Sequence, residues 1–61
     1  MAFRIKWLDG SEDTVVDATR YQDAAGGWIE FIRVEATSGG PRNVQVLRVR
    51  EGTIDRIEHE P

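Results

Sequence analysis

The chain has no cysteine, one histidine, one methionine, one lysine and two prolines among 61 residues. Without thiols there is no disulfide staple and no thiolate metal site. The lone His59 lies near the end of the sequence, and Ser11 and Ser38 sit in glycine-bearing stretches with no base beside them. A catalytic nucleophile needs an activating base held by a third group, so no enzyme is expected. Nowhere does an apolar run approach the roughly 20 residues of a membrane-spanning helix, and no signal-peptide pattern is present. A cytoplasmic setting with no membrane partner is the expectation. An excess of positive charge is also missing. Eleven acids against eight bases leave −3, which gives no overall attraction to nucleic acid or anionic lipid.

What is present reads as strands. In residues 2–8, Phe3, Ile5 and Trp7 alternate with Arg4 and Lys6, the pattern of a strand with one buried face. Asp9-Gly10-Ser11-Glu12 supplies turn chemistry. Residues 13–21 form a second strand, with Ile5 expected opposite Val16, Phe3 by Ala18 and Arg4 by Asp17. Residues 22–27 make a connection that the paired glycines end. Branched and aromatic residues mark 28–36 and 44–50 as strands around a loop at 37–43. Residues 51–53 make a tight turn or single helical turn, 54–58 a short closing strand, and 59–61 a frayed tail.

Five short strands on tight loops predict one all-β domain over residues 1–61. Its expected architecture is a five-stranded, strongly bent antiparallel sheet closing into a small barrel of the SH3-like, Sm-like or OB type. An open meander that pairs with a second copy is the alternative. The predicted core is Phe3, Ile5, Trp7, Val16, Ile29, Phe31, Leu47, Val49 and Ile57, with Ile54 capping the barrel end and Trp28 partly exposed. A chain this short buries only about 60% of its unfolded surface. Small size without staples favours assembly with another chain.

The hairpin 28–50 carries most of the pattern. Setting Val34 opposite Val44 pairs Ile32 with Val46, Phe31 with Leu47, Glu30 with Arg48, Ile29 with Val49 and Trp28 with Arg50. Each pair is apolar, oppositely charged, or an indole against a guanidinium, worth roughly 0.2–1 kcal/mol. In this register Ile29, Phe31, Leu47 and Val49 share one face near the base. Ile32, Val34, Val44 and Val46 share the opposite face near the tip. Either the ribbon bends so that both sets line one barrel, or the tip set meets a partner. The tip set and Arg42 are therefore the candidate contact residues for a protein partner or a second copy of the chain.

Two segments resemble the Sm-like family of small barrels. One is the alternating strand running into Asp9-Gly10; the other is Val49-Arg50-Glu51-Gly52-Thr53-Ile54-Asp55-Arg56-Ile57. Together they span about a third of the chain. The resemblance implies a ring-forming barrel with an RNA pocket near the Arg-Gly step. The sequence departs from the family pattern by inserting Glu51 before Gly52 and by placing Gly26-Gly27 where the family carries a loop asparagine. Trp28, Arg33, Arg48 and Arg50 are the candidate contacts for nucleic acid or an acidic partner.

The plainer reading has Arg48 and Arg50 pairing with Glu30 and stacking on Trp28, with Arg33 and Arg42 solvated. Asp9, Glu12 and Asp13 cluster in the first turn without calcium-loop spacing, and solvated acids rather than a metal site are expected. No cofactor is implied. Seven arginines against one lysine suit a GC-rich bacterial genome or one of its phages. The leading functional expectation is a non-enzymatic interaction or assembly module binding protein through the 28–50 hairpin. An Sm-like or SH3-like nucleic-acid-binding oligomer is the alternative.

Overall fold

A computed structural model describes all residues, Met1–Pro61. The elements are β1 (Ala2–Trp7), β2 (Thr14–Asp17), β3 (Arg20–Ala24), β4 (Trp28–Thr37), β5 (Gly40–Arg50), a 3-10 turn (Glu51–Thr53) and β6 (Ile54–Glu60). They form two three-stranded antiparallel sheets, ordered β2-β1-β6 and β3-β4-β5. The chain is all-β, as its composition implied. It is not the expected closed five-stranded barrel, because six strands are present and no ladder joins the two sheets.

The extra strand comes from the stretch 13–21, which is bent rather than continuous. At the bend Ala18 is fully buried, and the Thr19 N–H donates to the Ile32 carbonyl at 2.8 Å. The Thr19 hydroxyl accepts from the Val34 N–H at 3.1 Å. Thr19 thus passes the chain from the β1 sheet to the β4 sheet. Residues 22–24, expected to be connection, join Arg20 and Tyr21 in β3. Gly26 and Gly27, both at positive φ, make the turn into β4. A Cβ on Gly26 would meet the Trp28 indole at 3.5 Å, an ordinary contact, so the positive φ rather than the space beside the ring favours glycine here.

The β1–β2 ladder is shifted by two residues from expectation, setting Phe3 against Val16 and Ile5 against Thr14. Two hydrogen-bonding groups favour this register. The Trp7 indole N–H donates to the Thr14 hydroxyl at 3.0 Å, and Lys6 reaches Asp13 at 2.9 Å. A shift of two keeps every side chain on its face, so the core is unaffected.

Bulges account for two irregularities of sequence. Ile54 and Ile57 are three apart, which simple alternation would send to opposite faces. A register shift between Lys6 and Trp7 leaves Asp55 without a partner, so Ile57 faces Ile5 while Ile54 faces Trp7. Both isoleucines then pack on the core. The strand continues past its expected end, and His59 lies edge-on to Phe3 at 5.4 Å rather than fraying.

The hairpin register is as expected from Trp28↔Arg50 to Phe31↔Leu47 and shifts by one beyond it. Val46 is the extra residue, and Ile32 faces Gln45, Arg33 faces Val44 and Val34 faces Asn43. The expected loop 37–43 shrinks to Ser38-Gly39, with Gly40 at positive φ and residues 40–43 already in β5. Pro41 is tolerated there because β5 is an edge strand.

The core is Phe3, Ile5, Val16, Ala18, Ile29 and Phe31, with Trp7, Val46, Leu47, Val49, Ile54 and Ile57 packed around it. Trp7 is thus half-buried, and Ala18, Val46 and Ile54 join residues expected there. Phe3 and Phe31 meet across the two sheets at 6.1 Å, with Tyr21 at 5.2 and 5.6 Å from them. The molecule measures 42 × 28 × 13 Å, and its radius of gyration is 12.5 Å. A compact chain of this length would have about 10.5 Å. The hairpin accounts for the elongation: β3 pairs with β4 only as far as Ile32, and residues 33–44 run on as a two-stranded arm.

Candidate binding face and hairpin arm

Strand alternation divides the β3-β4-β5 sheet into a core side and an outer side. On the core side stand Ile29 and Phe31 of β4, Leu47 and Val49 of β5 and Tyr21 of β3. On the outer side Trp28, Glu30, Ile32 and Val34 line β4, flanked by Arg20 and Gln22 of β3 and by Asn43, Gln45, Arg48 and Arg50 of β5. Contacts across this face bear out the assignment. The guanidinium carbons of Arg48 and Arg50 each lie 4.5 Å from the centre of the Trp28 ring. Gln22 donates to Glu30 at 3.2 Å, and Arg48 approaches the same carboxylate at 3.9 Å.

The charge of this face is unlike that of the rest of the chain. Arg20, Arg48 and Arg50 oppose Glu30 alone, giving +2 where the whole chain carries −3 and leaving −5 elsewhere. Arg20 and Arg50 have no carboxylate partner, and both are exposed.

The sequence-predicted contact residues are not brought together. Ile32 is buried at 7% exposure and Val34 is 40% exposed. The bulge turns Val46 onto the core and places Val44 opposite Arg33, on the other side of the ribbon from Val34. The four therefore form no common apolar surface. Arg42 is exposed opposite Glu35.

Arg33 is half-exposed and paired rather than simply solvated. It binds Glu35 through two nitrogens, at 3.0 and 2.7 Å, and approaches Asp17 of β2 at 3.5 Å. The Glu35 hydrogen bond, with Coulombic help from Glu35 and Asp17, raises its pKa further above the ordinary value. Arg33 thus ties the root of the arm to the other sheet. Beneath it, Val15, Val16, Val46 and Leu47 line an open groove of about 300 Å³ between the β2 and β5 edges.

In the first turn the Asp13 carboxylate is taken up by Lys6 and by Arg4 at 3.4 Å. The Lys6 hydrogen bond chiefly holds the Asp13 pKa below the ordinary carboxylate value of 3.8. Hydrogen bonding from Ser11, first from its side chain and then from its N–H at 2.8 Å, lowers the Asp9 pKa as well. Asp9 and Asp13 are thus engaged within the chain, on separate partners.

Arg20, Gln22, Asn43 and Gln45 had no place in the sequence-based site. Their shared face depends on β3 pairing with β4 and on the bulge in β5. The Arg20-x-Gln22 alternation was the available signal. No helix is long and apolar enough to cross a membrane. No protein-family model, curated protein or solved structure matches the chain.

Proposed function

We propose that the chain is a non-enzymatic protein-interaction module, an adaptor, inhibitor or structural subunit, with the 28–50 hairpin as its contact element. The arm carries this reading. Beyond Ile32, β4 has no strand on its β3 side; the Thr19 hydroxyl meets its backbone at the Val34 N–H. The arm holds none of the six core residues and exposes Val34. An open strand edge beside an exposed apolar side chain is the arrangement by which β proteins add a partner's strand.

For the fold we propose an opened relative of the small SH3-like or Sm-like barrels; the bend at Ala18-Thr19, which passes the chain from one sheet to the other, is the observation behind it. A second reading, a nucleic-acid-binding oligomer of the Sm-like or SH3-like kind, draws its support from Arg20, Arg48 and Arg50 on one face. The net charge of the chain weighs against it.

The test uses an arm-shortened chain. Replacing residues 34–43 by Asn-Gly joins the directly opposed Arg33 and Val44 through a two-residue hairpin turn. Sedimentation should show wild-type association, or wild-type bait should retain a protein, that the shortened chain loses. A wild type that is monomeric at high concentration and retains nothing beyond the shortened bait overturns the reading.

A further inference from the structure

We propose that the outer face of the β3-β4-β5 sheet, with Arg20, Arg48 and Arg50 around Trp28, docks an extended acidic segment of a partner protein. This rests on the reading of the chain as a protein-binding module and names the chemistry of the partner. The site lies at the base of the hairpin, apart from the arm.

Preorganisation is the first argument. Two guanidiniums lie 4.5 Å from the centre of one half-buried indole. A guanidinium resting over an indole has N–H groups left for a fork-shaped contact with a carboxylate. Ordering these long side chains beforehand lowers the entropy lost on binding. Arg48 meets Glu30 only at 3.9 Å, leaving hydrogen-bonding capacity unused. Gln45, also exposed, adds a neutral donor along the same face.

Spacing is the second argument. Arg20 faces Ile32 on one side of β4 and Arg50 faces Trp28 on the other, so their Cα atoms lie roughly 16 Å apart on the diagonal. An extended peptide presents alternate side chains on one face about every 6.7 Å, so three carboxylates span a similar length.

The third argument separates an acidic peptide from nucleic acid. Single strands bind proteins by stacking bases on free aromatic faces as well as by phosphate contacts. Here the one aromatic ring on the face, Trp28, is occupied by the two guanidiniums. A long polyanion would also run off a +2 patch onto a molecule that carries −5 elsewhere. A short segment stays within the patch, and at physiological salt the distant acids are screened beyond about 8 Å.

The experiment is an NMR titration of the full chain with a synthetic peptide of alternating glutamate and threonine, run beside an oligothymidylate of matched length. The peptide should move the Trp28 indole N–H and the Nε–H signals of Arg20, Arg48 and Arg50 while leaving Arg56 in place. Binding should weaken with added salt and fall about tenfold in Arg20→Gln/Arg50→Gln, with partial recovery in Arg20→Lys/Arg50→Lys. The arm-shortened chain keeps all four residues and should bind the peptide like wild type, whatever becomes of the arm. The proposal is overturned if millimolar peptide moves none of these signals, or if the glutamine variant binds as well as wild type. Tighter binding of oligothymidylate would assign the face to nucleic acid. Movement of the same signals on concentrating the chain alone would assign it to a second copy.

Discussion

Phe31 and Asp13 show how differently two side chains can hold this small chain together. Phe31 is fully buried and packs against Phe3 and Tyr21, joining the two sheets. Phe31→Ala should cost about 3–5 kcal/mol, enough to unfold a domain of marginal stability. Chemical denaturation or loss of near-ultraviolet dichroism would show it; an unchanged melting temperature would contradict this core. Asp13 acts through charge, and its effect depends on pH. Its carboxyl titrates below 3.8 in the folded chain because Lys6, and then Arg4, favour the anion. A depressed carboxyl pKa adds stability that is complete above the ordinary value and is lost as pH falls through the folded one. Asp13→Asn should therefore melt below wild type at neutral pH, with the gap closing in acid below the carboxylate range. A gap that persists at the lowest pH would mean that Asp13 acts by something other than its charge.

At the scale of elements, the bulges decide where the apolar residues go. Periodicity revealed β1, the base of the hairpin and the Arg48 and Arg50 contacts with Trp28, because those segments alternate without interruption. It did not reveal that Val46 and Asp55 are extra residues, since a bulge depends on how a partner strand twists over the core rather than on any local signal. The apparent apolar set at the hairpin tip followed from assuming an unbroken register. The bend at Ala18-Thr19 was equally hidden. Its residues are compatible with a strand, and only the tertiary bonds of Thr19 to Ile32 and Val34 mark the change of sheet. One comparison checks the hairpin bulge. Val46→Thr should destabilise by about 1 kcal/mol, since it brings a hydroxyl against the core, whereas Val34→Thr should stay within about 0.5 kcal/mol. Equal costs at the two positions would restore the straight register.

Across the whole molecule, a small two-sheet body carries an arm and a charge pattern that its own core does not explain. The body is held by six buried residues from β1, β2, the bend, and β4, all outside the arm. Trp28, Arg48 and Arg50 of the basic face lie at the base of the same hairpin whose tip is the arm, and Arg20 joins them from β3. Arg33 is the joint between arm and body through Asp17. This division makes a direct demand: the body must fold without the arm. Thermal melting of the arm-shortened chain measures it. The midpoint should stay within about 5 °C of wild type, the shift expected for roughly 1 kcal/mol in a chain of this size. Loss of the cooperative transition would contradict the division and make the arm part of what holds the fold.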